Sequence, residues 1–426
     1  MKIHHFIFIS FFIYSIGQQT YGAPACLEGE SHPEVFLWRT AFDEDDLQSS
    51  RSTVKRVSVL TQDKVCLKGI RLANDGAKPL LLIHGFMENL TIFNQVAQNL
   101  HKKGYDVYLF NMRGHGNNTT RSYPTLNHTL MGFDEIVAFD IPAMLRHISK
   151  QSKQKITILG HSMGTMSSRL TISGLTKKVD DDDLYISQKM KEYAIQNVEG
   201  VIALTSPSSF KNSNDIVRNF FKLDKQRIKN IRQTLLNILF YQRDVTSQNH
   251  SVFWRFINRY TNWITEKIVR YGVPRYFIDT LFKIENFDFS KFELSTLIHD
   301  SISVPYDLLY EDASRWSLNN NYASRGGNVL FENLEIPEQV PFYFIGVSED
   351  GLANITDIRN DYNSQPSHPN MAMISIKGFG HMDIIATAKG RNIVTRIINN
   401  IFDNNFSKNA LPILNIYPEI DVKIKD

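Results

Sequence analysis

Cysteine is nearly missing from this chain: Cys26 and Cys66 are the only two in 426 residues. That excludes a disulfide-knit scaffold and leaves stability to a packed core. No Cys/His spacing resembles a metal site, so no metal is expected. An excess of one charge is missing too. Forty-seven Lys and Arg face 44 Asp and Glu, a net charge of +3, with the basic residues spread along the chain. Such a balance argues against a nucleic-acid partner. After the first 25 residues no apolar run approaches the roughly 20 residues of a membrane span.

What is present is hydrophobic mass. Apolar residues make up 42% of the chain and aromatics 12%, enough for a large core. The length suits two or three domains, or one α/β domain carrying an insertion.

Residues 1–25 read as a secretory signal. Lys2 gives a positive start, Phe6 to Ile16 an apolar stretch too short to span a bilayer, and Ala23-Pro24-Ala25 a small-residue cleavage site. A retained N-terminal anchor and a lipid-modified Cys26 are the alternatives, but Ala23 stands where a lipid-attachment signal wants Leu. Export, to the periplasm or outside the cell, follows. Both cysteines survive cleavage after Ala25, and an even count in an exported chain predicts a Cys26–Cys66 disulfide.

Strand and helix signals then alternate. Val54 to Leu60 and Val65 to Leu72 read as a hairpin. Pro79 to Ile83, Asp106 to Phe110, Ile156 to Leu159 and Val198 to Leu204 are apolar runs suited to strands buried on both faces. Helices are expected from Ile92 to Lys103, from about Gly132 to Ser149 with a bend at Pro142, and from Met163 to Leu175. Asp180 to Asp183 reads as a solvated connection. Between residues 208 and 338 the alternation stops and helical spacing takes over. It resumes with strands at Val340 to Val347 and Met371 to Ile376 and a helix from Arg391 to Phe402. The tail from Asn404 stays unassigned. The expected architecture is a mostly parallel sheet with helices on both faces, formed by residues 26–207 and 339–426 and interrupted by a helical cap over 208–338. Ligands bind such sheets at the carboxyl ends of the strands.

The chain is organised around Gly160-His161-Ser162-Met163-Gly164. A strand enters this pentapeptide and a helix leaves it, the context of a nucleophile elbow. Ser162 would sit at the tip of a strained turn, with Gly160 and Gly164 giving room for close backbone approach. A serine hydroxyl needs a base, and the base needs an orienting carboxylate. In this order the acid follows a late strand, which selects Asp350, with Glu349 and Asp357 as alternatives. The base follows the last strand, which selects His381 in its glycine-flanked loop. His84, His161 and His115 read as structural residues beside the site. Two backbone N–H groups should meet the oxyanion, from Met163 and from Phe86, with Met87 as the alternative to Phe86.

Together these residues resemble the α/β-hydrolase superfamily. Within it, Phe133-Asp134-Glu135 with Asp140-Ile141-Pro142-Ala143, the segment from Asp350 to Asp357, and His381-Met382-Asp383 are similar to the acid lipases, the gastric and lysosomal family. The resemblance implies Asp350 as the triad acid and His381 as the base. It covers about residues 54–207 and 340–402. Met163 departs from that family's Gln, and Arg113-Gly114-His115-Gly116 is closer to general esterases and monoglyceride lipases. The expected activity is hydrolysis of carboxylic esters, small-molecule or lipid, through an acyl-enzyme and with no cofactor. A peptidase or amidase, a polyester depolymerase, an acyltransferase and a non-catalytic binding protein are the alternatives. In the cap, Phe253, Trp254, Phe256, Ile257, Tyr260, Trp263 and Ile264 offer more apolar surface than one packing stripe needs. Trp254 and Trp263 are candidates for acyl-chain or lipid-surface contact, against the alternative that all seven form the cap's own core.

Overall fold

The computed structural model describes residues 26–31, 54–116, 120–126, 129–209, 306–366 and 368–424, with parts of 211–219 and 283–303. The signal region and the cap aromatics, Trp254 and Trp263 included, lie outside the described residues.

Five strands are buried at every residue: β4 (Pro79–Ile83), β5 (Asp106–Phe110), β7 (Ile156–His161), β11 (Phe342–Val347) and β12 (Met371–Ile376). With β10 (Val198–Leu204) they form a parallel array in the order β5-β4-β7-β10-β11-β12. Parallel strands need helical crossovers, which cover both faces and require apolar side chains on each. The flanks are antiparallel. On one side β3 (Val65–Leu72) pairs with β5 and with the short β6 (Tyr123–Pro124), β2 (Val54–Leu60) with β3, and β1 (Gly29–Ser31) with β2, while β8 (Leu175–Thr176) and β9 (Tyr185–Ile186) pair apart from this sheet. On the other, β13 (Ile420–Ile424) pairs antiparallel with β12. The unassigned tail therefore supplies an edge strand, reached through a 3₁₀ stretch at Lys408–Ile416.

The helices divide between two apolar layers. Helices α1 (Asn94–Lys102) and α8 (Ala388–Asp403) send Val96, Leu100, Val394, Ile397 and Ile401 into one layer. Helices α2 (Ile141–Gln151) and α3 (Met163–Ile172) send Met144, Ile148, Met166 and Leu170 into the other, joined by Ala194 of α4 (Gln188–Asn197); a single turn, α7 (Asp383–Ala386), precedes α8. Three features differ from the sequence expectation. The helix before Pro142 contains a π-helical turn at Ile136–Asp140, and Pro142 follows it directly, in the first turn of α2. A 3₁₀ turn at Leu90–Phe93 precedes α1, capped by the buried side chain of Asn89, whose Oδ1 accepts from the N–H and hydroxyl of Thr91. Asp183 is no mere solvated residue: its carboxylate accepts from the N–H groups of Leu184, Gly326 and Asn328. Cys26 and Cys66 are disulfide-bonded, which fastens the N-terminal segment to β3.

Candidate active site

Four strand ends set out the site. β7 lies between β4 and β10, with Gly160 in register with Ile83 and His161 with Leu204. The chain turns sharply after His161, and Ser162 holds φ +51° and ψ −122°. That is left-handed backbone for a non-glycine residue, a cost of about 1–3 kcal/mol. Its N–H donates to Leu204 O at 2.9 Å, and its carbonyl accepts from Thr165 at 3.0 Å. A Cβ on Gly160 would meet Thr165 N and Cα at 2.6 Å, and one on Gly164 would meet the carbonyl oxygens of Ile83 and His84 at 2.4 Å. Both positions need glycine because backbone closes on them. Met163 opens α3, where the first N–H groups have no partner within the helix.

β11 ends at Val347 and is followed by Asp350; β12 ends at Ile376 and is followed by His381. His381 Nε2 lies 2.9 Å from Ser162 Oγ, and its Nδ1 lies 2.7 Å from Asp350 Oδ2. The other carboxylate oxygen of Asp350 accepts from the N–H groups of Leu352 and Ala353, both at 2.8 Å. With both oxygens engaged, Asp350 cannot swing away. The carboxylate keeps the imidazole proton on Nδ1, so Nε2 can accept from the serine. Ser162, His381 and Asp350 retain 3%, 2% and 4% of their exposure. The arrangement can remove a hydroxyl proton in a nearly dry setting.

The alternative carboxylates face elsewhere. Glu349 is exposed, with its carboxylate near Lys283 and Ser348. Asp357, in α6 (Ile355–Ser364), accepts from Asn212.

The turn after β4 approaches the serine closely. A Cβ on Gly85 would lie 2.9 Å from Ser162 Cβ. Phe86 follows, and its ring meets Tyr310 edge-on with centroids 5.0 Å apart. Tyr310 belongs to α5 (Asp307–Asn319), which brings the end of the 208–338 segment over this turn. Met87 stands at φ +58° and Glu88 N–H donates to Gly85 O at 3.4 Å.

His84, His115 and His161 are held by hydrogen bonds beside the site. His84 Nε2 accepts from the N–H of Met112 at 3.1 Å, which places its proton on Nδ1, facing Gly85 O at 2.8 Å. Burial, aided by His115, lowers its pKa to about 3, so the ring is neutral. Burial also lowers His115, to about 4. Arg113, fully buried, donates to Asp140 and Asp63, which makes the Arg113 loop a structural clamp. His161 pairs with Glu88. Sequence reasoning missed Glu88; the signal that could have found it is a carboxylate three residues after the glycine at a strand end.

Residues 78–180 match the family model described as the alpha/beta hydrolase fold. The fold is that of an α/β hydrolase. Triacylglycerol lipase 2 of Arabidopsis thaliana is 36% identical over 129 residues, 25% of this chain and 30% of that protein. Gastric triacylglycerol lipase of Homo sapiens is 31% identical over 125 residues, 25% of this chain and 31% of that protein. These matches thus span about three tenths of each relative's length. Among solved structures, a carboxyl esterase from Bacillus coagulans superposes with a TM-score of 0.50 at 15% identity, covering 83% of this chain and 99% of that one. The hydrolase fold also accounts for the site's position, at the carboxyl edge where the α/β crossovers leave loops free to vary.

Proposed function

We propose that this protein is an exported serine hydrolase that cleaves carboxylic esters, with lipid esters as the natural class. The observation that carries the reading is the hydrogen-bonded line from Ser162 through His381 to Asp350. Ser162 Oγ attacks the ester carbonyl while His381 Nε2 takes its proton. The backbone N–H groups of Met163 and Phe86 receive the negative charge that develops on the carbonyl oxygen. His381 returns the proton to the departing alkoxide and leaves an acyl-serine. Water, deprotonated by the same imidazole, releases the acid. No cofactor enters these steps.

The lipid preference rests on similarity to lipases over about a quarter of the chain and on the large apolar content of the segment from 208 to 338, which we take as a cap. Trp254 and Trp263 would line an acyl channel or touch a lipid surface. Export rests on the N-terminal signal pattern and agrees with the Cys26–Cys66 disulfide. Among the described residues no helix is long and apolar enough to cross a membrane.

A fluorophosphonate probe tests the assignment. It should label Ser162, and the Ser162→Ala variant should lose both label and turnover of a chromogenic ester. Labelling at another serine in active protein would overturn it. A series of esters of rising acyl length then ranks the substrate class: a strong preference for acetyl esters would refute the lipid reading.

A further inference from the structure

An ion pair is sealed beneath the serine. His161 Nδ1 lies 2.8 Å from Glu88 Oε1, and both side chains are buried. On its far side His161 Nε2 lies 3.0 Å from the carbonyl oxygen of His381. A carbonyl oxygen can only accept, so Nε2 carries a proton. An ionised carboxylate can only accept, so Nδ1 carries one as well. Burial by itself would discharge both groups, but their mutual attraction and hydrogen bonds outweigh it. Glu88 is held below the usual glutamate range and His161 above the usual histidine range. The other ionisable groups facing the pair are His84, Asp350 and the His381 ring, whose centroid is 5.0 Å from that of His161.

Each end of the pair grips a different part of the site. Glu88 Oε2 accepts from the N–H of Gly85, and so closes the turn that carries Phe86. His161 precedes Ser162 in the chain and holds the main chain of His381. A buried ion pair adds little to stability compared with a well-packed apolar pair. Its placement, with all its further hydrogen bonds directed at site backbone, is what needs explaining.

We propose that Glu88 and His161 act as positioning residues, a charged brace that fixes the Phe86 turn and the His381 main chain relative to Ser162. The proposal rests on the hydrolase reading of Ser162 and His381. Its effect falls on the transition state, because the brace aligns the oxyanion donor and the base while leaving the ester-binding surface alone.

Glu88→Gln keeps the shape and removes the charge. In the full chain, kcat on a short chromogenic ester should fall on the order of 10- to 100-fold with KM within about twofold, less than the roughly 10²- to 10³-fold loss of an oxyanion donor itself. Nitrogen-15 spectra of histidine-labelled protein supply a readout that a merely structural role would not move. In the wild type at about neutral pH, both His161 nitrogens should resonate as an imidazolium; in Glu88→Gln they should separate into a neutral tautomer. If Glu88→Gln does not fold, Glu88→Asp retains the charge but not the reach to Gly85, and should lower kcat with His161 still doubly protonated. A folded Glu88→Gln with kcat within about twofold of wild type, or a neutral His161 in the wild type, would overturn the proposal. The nitrogen spectra need no turnover. They therefore separate failure of the brace from failure of the hydrolase reading, which would show as ester turnover surviving in Ser162→Ala.

Discussion

Asn286 donates from its side-chain amide to Asp383 Oδ2 at 2.5 Å, two residues beyond His381. Asp383 also accepts from Gly380 N–H at 2.8 Å and Lys283 N–H at 3.1 Å, and Asn286 donates a second bond to Gly378 O. Residues 283–286, within the proposed cap segment, are thereby stitched to the loop that carries His381. A hydrogen bond to a charged group is worth about 1.5–3 kcal/mol. Asn286→Ala should lower unfolding free energy by about that amount in urea titrations. Turnover should fall in the same variant, since Gly378 and Gly380 lose their fixed frame. An unchanged midpoint and rate would detach the insertion from the loop.

Asp350 and Glu349 are neighbours with opposite surroundings, the first buried against His381 and the second exposed. Loss of an orienting aspartate lowers turnover about 10⁴-fold in a serine triad. Asp350→Asn should show a loss of that order, and Glu349→Gln less than about threefold on the same scale. Steady-state kinetics on the two folded variants decides it, and the reverse ranking would move the acid to Glu349.

Asp134 sets a pH dependence of stability. Burial, with Asp312 and Glu135 nearby, raises its pKa to about 7 even though Arg325 stands beside it. The folded state therefore holds this proton more tightly than the unfolded chain, where an aspartate titrates near 3.8. The contribution is complete below about pH 4 and is lost as pH rises through about 7. Glu135 runs the other way: buried, yet paired with Arg325, it is lowered to about 2, so its contribution is present above about 4.5 and lost in acid. Comparing wild type with Asp134→Asn isolates the first effect. The variant should gain on wild type by on the order of 1–4 kcal/mol between pH 4 and 8, a tenfold change in proton affinity being worth about 1.4 kcal/mol. A pH-independent difference would show that Asp134 stays ionised.

Reduction of the Cys26–Cys66 bond opens a loop with a sequence separation of 40. Removing it through the paired Cys26→Ser and Cys66→Ser changes should cost about 2–4 kcal/mol. Thermal melting of the double variant measures this, and little effect on turnover is expected because β1 and β3 lie on the far flank from Ser162.

The parallel strands were legible because doubly buried strands leave unbroken apolar runs. The elbow was legible because close backbone contact at Gly160 and Gly164 admits no other residue. β13 was not, since Ile420 to Ile424 mixes Asp421 and Lys423 into an edge strand with one wet face. The π turn at Ile136–Asp140 was hidden as well, because periodicity over a few residues does not distinguish it from α-helix. Glu88 escaped notice for a different reason: its role depends on a partner 73 positions away.

The capped turn at Leu90–Phe93 bears on how the chain can be processed. Asn89-Leu90-Thr91 has the spacing of an N-glycan acceptor, yet Asn89 is 1% exposed, its Oδ1 engaged by Thr91 and its N–H by Ser301 O. A transferred sugar would have no room there once the chain folds. A chain that acquired one during synthesis could not seat the turn from which α1 starts. In a glycosylating secretory route, this acceptor is a point where folding and modification compete, and folded protein should emerge bare at Asn89.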